Sequence, residues 1–221
     1  MSLKITGTCF KNADGLKYFR KGAMEVRLGS FGEKKEPVLE ANYLQVAGTV
    51  KAQSLMKRKV EKSTTVTVDW SKTTWADVAL DGKLRVFGLN LKIAGQYNYE
   101  KVKSAKCRLF FLSLSTDQVK YLLNDADNAR QNLANEGADG RIVSGIWVVV
   151  EATLGEQFDS VGTLSVSDEG ENVKLTASGG KHGTQTITLE PGATFAYRLA
   201  KVKDWNKGKT KVEEVEQDYM A

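Results

Sequence analysis

A single histidine, two cysteines and two prolines in 221 residues close off several chemistries at once. The histidine, His182, lies in a Gly-Gly-Lys-His-Gly turn. One imidazole without matched cysteine or carboxylate partners makes neither a familiar metal site nor a nucleophile–base–acid triad. Cys9 and Cys107 are too few for a disulfide framework and lack the spacing of a zinc site. No Gly-rich loop of the phosphate-cradling kind opens a helix. Asp125 and Asp127 fall together on a helix, where neighbouring acids usually mark a wet face. The expectation is therefore no catalytic residue, no metal and no cofactor: not an enzyme. No apolar run approaches the ~20 residues of a membrane-spanning helix. The first residues, Met-Ser-Leu-Lys-Ile-Thr-Gly, carry no apolar signal core, which predicts a cytoplasmic protein.

Glycine, at 20 residues, is plentiful, and Val, Thr and Ile recur in alternating runs. Together they favour one β-rich domain with a sizeable core. Charge is lopsided. Residues 1–62 hold 13 Lys and Arg against 6 Asp and Glu, whereas the remainder is slightly acidic. The formal net charge of +5 thus comes from the N-terminal quarter, and it suggests an acidic partner or, equally, a solvated basic face.

Along the chain, Asn12 to Gly22 reads as one or two helical turns, with Leu16 and Phe19 on one side and Lys17, Arg20 and Lys21 around them. Met24 to Leu28 reads as a strand and Gly29 to Pro37 as a polar loop. Leu39 to Asp69 reads as extended chain interrupted by Lys57-Arg58-Lys59, with Val66, Val68 and Trp70 in period two. Asp81-Gly82 is a hairpin signal, and Leu84 to Tyr99 reads as one long amphipathic strand. Ser115 and Gln118 form a capping box ahead of Val119, Leu122, Leu123, Ala126, Ala129 and Leu133, which predicts one helix ending at Gly137. Ile142 to Leu154 reads as a strand buried on both faces around Ile146 to Val150. Gly155 to Gly180 reads as polar β-structure with turns at Asp168-Glu169-Gly170 and Gly179-Gly180, followed by a strand pair around Pro191-Gly192. The organisation predicted is a domain over 1–203 and a charged surface helix or loose tail over 204–221.

Four pieces in order carry a resemblance. Val86 to Tyr99 looks like an amphipathic strand, and Lys106 to Leu123 like a strand entering a capped helix. Gly140 to Thr153 looks like a Val-Val-x-Glu strand, and Thr186 to Lys201 like a late strand pair, with Thr186-Ile187 before Gly192 and Ala196-Tyr197-Arg198 after it. In that order they resemble the pore-forming domain of gasdermins, over about residues 80 to 202. Only some 20 residues follow Lys201, so the resemblance is to the short type without a C-terminal inhibitory domain, of the fungal, early-animal or bacterial kind.

The resemblance implies an α+β domain with a twisted, mostly antiparallel sheet and a few helices. It also implies a protein that is cytoplasmic when inactive, then binds the cell membrane and permeabilises it in regulated cell death. Two regions, about 45–100 and about 143–185, would refold into spanning hairpins. Open sheet edges cannot sit in lipid, so several protomers must close one barrel, as a homo-oligomer or with a related chain. Anionic lipids are the implied partner, since basic residues near an acidic leaflet contribute ~1 kcal/mol each. The lipid-binding candidates are Leu16, Lys17, Phe19, Arg20, Lys21, Lys34, Lys35, Lys57, Arg58 and Lys59. Cys9 and Cys107 are candidates for a redox lock or, at Cys9, acylation, against the plain reading of buried inert thiols. Control by the acidic tail, Glu213 to Asp218, or by a partner chain stays open.

A structural ring- or tube-forming β-protein, like a phage tail-tube subunit, fits the same composition. A nucleic-acid partner is not expected, because Tyr18, Phe19 and Phe31 form no stacking platform among the basic residues.

Overall fold

The apolar run Ile146 to Val150 is the centre of the molecule, inside a strand whose eleven positions are all buried. The structure, a computed structural model, describes residues 3–63, 65–78, 83–88, 91–94, 96–160, 163–169, 172–180, 183–190 and 192–220. The expected turn at Asp81-Gly82 and the histidine turn at His182 lie outside these residues. In chain order come β1 (Lys4–Ile5), β2 (Cys9–Lys11), β3 (Lys17–Phe19), β4 (Ser30–Lys35) and β5 (Tyr43–Thr49). Then follow α1 (Ala52–Met56), β6 (Glu61–Lys62), β7 (Val66–Thr67), α2 (Trp75–Val78), β8 (Lys83–Phe87), β9 (Leu91–Ala94) and α3 (Gln96–Ser104). The next group is β10 (Arg108–Ser113), α4 (Thr116–Asp125), α5 (Asp127–Glu136), β11 (Gly140–Val150) and α6 (Ala152–Ser160). The chain closes with β12 (Thr163–Glu169), β13 (Asn172–Gly180), β14 (Gly183–Leu189), β15 (Ala196–Trp205) and β16 (Val212–Asp218). The fold is α+β, with a mostly antiparallel main sheet and a separate sheet of β12, β13 and β14.

β11 organises the main sheet. β10 runs antiparallel along its C-terminal half, with Arg108 opposite Val150 and Ser113 opposite Gly145. β15 runs antiparallel along its other edge, with Ile142 opposite Ala200 and Trp147 opposite Ala196. β3, β2 and β1 continue outward from β15. β4 adds to the beginning of β11, and β5 adds to β4. β8 pairs parallel with the last residues of β11.

Period two divides the core. Phe110, Leu112, Ile146, Val148 and Val150 face a layer containing α4, α5, α6 and the small sheet. Leu109, Phe111, Trp147 and Val149 face a second cluster with Trp70, Val78, Tyr99 and Val102. Each such side chain contributes ~1.5–3 kcal/mol by burial, so the middle of the sheet is held from both sides. Phe111 and Trp147 stack at 4.7 Å, and Gly145 makes room, since a Cβ there would come within 2.5 Å of the Phe111 ring.

Several local expectations are corrected. Asn12 to Gly22 is the β2–β3 hairpin, because Asn12 Oδ1 accepts from Leu16 N at 2.9 Å and Gly15 takes φ +88°, a side-chain turn that outcompetes a helix. Met24 to Leu28 holds a short 3-10 turn, and the supposed loop after Gly29 contains β4. Leu39 to Asp69 is broken by α1. The long strand expected over Leu84 to Tyr99 is a hairpin, β8–β9, followed by α3, where Tyr99 and Val102 turn inward three residues apart.

The capping serine holds, with Gln118 N donating to Ser115 Oγ at 3.3 Å. The helix nonetheless splits at Ala126. Asn124 trades hydrogen bonds with the backbone of Val212, donating at 3.0 Å and accepting at 2.9 Å. Gly155 lies in α6 rather than in polar β-structure. β14 and β15 are not a hairpin; they belong to different sheets. The final segment is neither helix nor loose tail, since β16 pairs with β15 from Leu199–Asp218 to Trp205–Val212.

Candidate functional site

The basic residues of the N-terminal quarter do not form one bare patch. Arg20 is fully buried and leaves the lipid-contact set. Its guanidinium donates to the carbonyls of Phe195 at 3.2 Å, Thr6 at 2.6 Å, Val78 at 2.8 Å and also Asp77, and it lies 4.1 Å from the centre of the Phe195 ring. Burial pushes its pKa down, and the four carbonyls compensate the charge. Arg20 thus ties β1 and the approach to β15 to α2. Phe19 is also buried, stacked on Tyr197 at 5.5 Å, and is removed from the set for the same reason.

Six of the remaining eight candidates divide into two groups. Lys21, Lys34 and Lys35 gather along the β4–β5 hairpin. Lys21 pairs with Glu40 and lies 4.6 Å from the Tyr43 ring centre. Lys34 pairs with Glu36 at 2.8 Å and Asp218 at 3.4 Å, and Lys35 with Glu33 at 2.5 Å. Around the end of α1, Arg58 is spent on Asp125, while Lys57 and Lys59 are exposed and make no ion pair among the described residues. Leu16 is exposed in the β2–β3 turn, and Lys17 is half-buried on β3.

The most conspicuous surface feature was missed by sequence reasoning. At the tip of the β4–β5 hairpin, Val38 is 87% exposed and Leu39 101%. Glu40 N donates to Pro37 O at 3.4 Å, closing a four-residue turn in which Leu39 takes φ +67°. That left-handed position normally belongs to glycine and costs a leucine ~1–2 kcal/mol. The legible signal was an apolar pair directly after proline, bracketed by Lys35, Glu36 and Glu40. The turn thus presents two exposed aliphatic side chains, with Lys35 and the Lys21–Glu40 pair close by in sequence and contact.

The two thiols differ. Cys107 is fully buried, and burial pushes its pKa up to about 12 with Glu151 adding to the rise, so it is inert in this fold rather than a redox or acylation site. Cys9 is half-buried; burial raises its pKa while Lys17, Arg20, Lys4 and Lys11 pull against the rise.

The connections between central strands supply the remaining geometry. Residues 50–107 join β5 to β10, and residues 151–195 join β11 to β15. β5 ends at Thr49, opposite Ser30, and runs in the same direction as β11. β10 begins opposite Val150, and β15 begins opposite Trp147. Both insertions therefore re-enter toward the Val150 end of the main sheet; β11 also leaves there, whereas β5 stops level with the beginning of β11, pointing toward that end.

In the second insertion, Leu164, Val166, Val173, Leu175, Ala177, Ile187 and Leu189 share one face of the small sheet through the pairs Leu164–Ala177, Val166–Leu175, Leu175–Ile187 and Val173–Leu189. That face packs onto Leu28, Leu112, Ile146 and Ala193. Ser165, Ser167, Lys174, Thr176, Thr186 and Thr188 alternate with it on the other face. Between β8 and β14, where the two insertions meet, lies a groove of about 490 Å³ spanned by the Arg85–Glu190 ion pair.

Among the described residues no helix is long and apolar enough to cross a membrane, which says nothing of crossing by strands. Compared with protein-family models, curated proteins and solved structures, the chain matches none.

Proposed function

We propose that the protein is a gasdermin-like pore-former, which binds an anionic membrane, oligomerises and permeabilises it with hairpins drawn from its two insertions. The observation that carries this reading is that β5 and β11 run in the same direction into the two insertions, and β10 and β15 run back from them antiparallel to β11. β11 and β15 are already neighbours, so straightening residues 151–195 extends an existing antiparallel pair. Residues 50–107 run from β5 to β10, so a second pair, one strand leaving and one returning, forms when β5 lengthens beyond Thr49 toward the level of Val150.

The alternation of the small sheet serves both states. Its apolar face, now against the core, becomes the lipid face; its Ser, Thr and Lys face becomes the lumen. The strands are seven to nine residues long, near the ~9–11 that a spanning strand needs. Val38 and Leu39 act first, as a wedge in the headgroup boundary, with Lys21, Lys34 and Lys35 behind them and Lys57 and Lys59 as the freely available cations. The closed barrel requires a ring of protomers or of related chains.

Dye release from vesicles with and without anionic lipid, run on the full chain with and without reductant, tests the proposal. Leakage that depends on anionic lipid is the expected result. Absence of leakage together with rings or tubes formed in lipid-free solution would favour a structural assembly protein instead.

A further inference from the structure

The N-terminal strands set Lys17, a lipid-contact candidate by sequence, in a row of three lysines. Lys4 lies directly opposite Lys11 across β1 and β2, and Lys11 directly opposite Lys17 across β2 and β3. Neighbouring strands are ~4.8 Å apart, so the three backbone positions span only ~10 Å. Cys9 shares the Lys11 face of β2, because alternate residues of a strand point the same way. Thr6, just after β1, is held by Cys9, whose N donates to Thr6 Oγ1 at 3.1 Å while that hydroxyl donates to Cys9 O at 3.2 Å. These five residues line one cavity of about 250 Å³.

Like charges set directly opposite each other destabilise a sheet. Across β15 and β16, by contrast, lysines meet acids, Lys201 with Glu216 at 2.7 Å and Lys203 with Glu214 at 2.6 Å. Lys4, Lys11 and Lys17 make no ion pair among the described residues. We infer that this row is a binding site for a small anion bearing more than one phosphate group, held by the three ammonium groups with the Thr6 hydroxyl beside them. Lysines serve phosphate as point charges, and a multiply charged ligand removes the mutual repulsion of the row. A soluble oligophosphate and a phosphorylated lipid headgroup offer the same chemistry, and the site stands whether or not the protein permeabilises membranes.

Cys9 is a built-in reporter, since Cys107 is fully buried. Thermal melting and the rate of Cys9 alkylation by iodoacetamide are measured on the full chain with sodium tripolyphosphate, against sodium chloride at equal ionic strength. They are measured again with neutral phosphatidylcholine vesicles, with and without a phosphatidylinositol bisphosphate. The expected result is a raised Tm and alkylation slowed ~tenfold at about ten times Kd. Lys11→Glu, which turns the row into alternating charges, should keep or raise the Tm without ligand yet lose both responses; Lys207→Glu, at an exposed turn, should retain them. Response to tripolyphosphate assigns a soluble ligand, and response to the vesicles alone assigns a headgroup. No response to either probe, or equal responses in Lys11→Glu, overturns the site.

Discussion

The middle of the main sheet and the small sheet are built from the same aliphatic residues in different order, and the order decides what each can do. In β11 every position is buried, so moving the strand would expose both faces to water. In β12, β13 and β14 aliphatic residues alternate with Ser, Thr and Lys, so one face already belongs in water. The first arrangement makes a scaffold. The second makes a part that can be lifted away from it at a lower cost.

That contrast can be broken most severely at Phe110, which is fully buried with its ring 5.0 Å from Phe158. Phe110→Ala should cost ~4 kcal/mol and lower the midpoint of every probe together in chemical denaturation. Arg20→Met should cost ~3 kcal/mol, because the carbonyls of Thr6, Asp77, Val78 and Phe195 lose their donor. Its hydrogen exchange should rise first around residues 75–78; a pattern identical to that of Phe110→Ala would deny Arg20 its role as a tie between scaffold and insertion.

Leu175→Ala should cost ~2.5 kcal/mol, with exchange rising across residues 163–189 while residues 142–149 stay protected. Equal loss of protection in β11 would show that the small sheet is no separable unit. The smallest effect concerns the hairpin tip: Leu39→Gly should stabilise by up to ~1 kcal/mol through relief of the positive φ, while weakening vesicle binding. Unchanged binding would take Leu39 out of the membrane contact.

What could be read in the sequence follows the same division. The strand over Ile142 to Val150, the strand leading to Ser115 and the capped helix were legible because period, cap and burial agree there. The insertions were not, because their periodicities compete. Tyr97 and Tyr99 alternate like a strand, yet Tyr99 and Val102 pack as one face of α3. Arg20 looked like a surface cation because no local pattern shows that four carbonyls from distant segments converge on it. The acidic tail looked loose because its partner strand, β15, is specified only by long-range pairing. Of the candidate site, the lysines near the hairpin were found by charge, whereas Val38 and Leu39 escaped because the segment lacks the period of any regular element.

The attachment of β3 to β15 also sets a timetable. Tyr197 donates to the carbonyl of Lys21 across a separation of 176 residues, and Phe19 pairs with Tyr197 in the sheet. During synthesis, at ~5–20 residues per second, the first three strands must wait roughly ten seconds or more for their partner to leave the ribosome. Over that interval Phe10, Tyr18 and Phe19 have no sheet to join, which makes the opening hairpin the segment where nascent chains most need a chaperone and where crowded expression should first turn into aggregation.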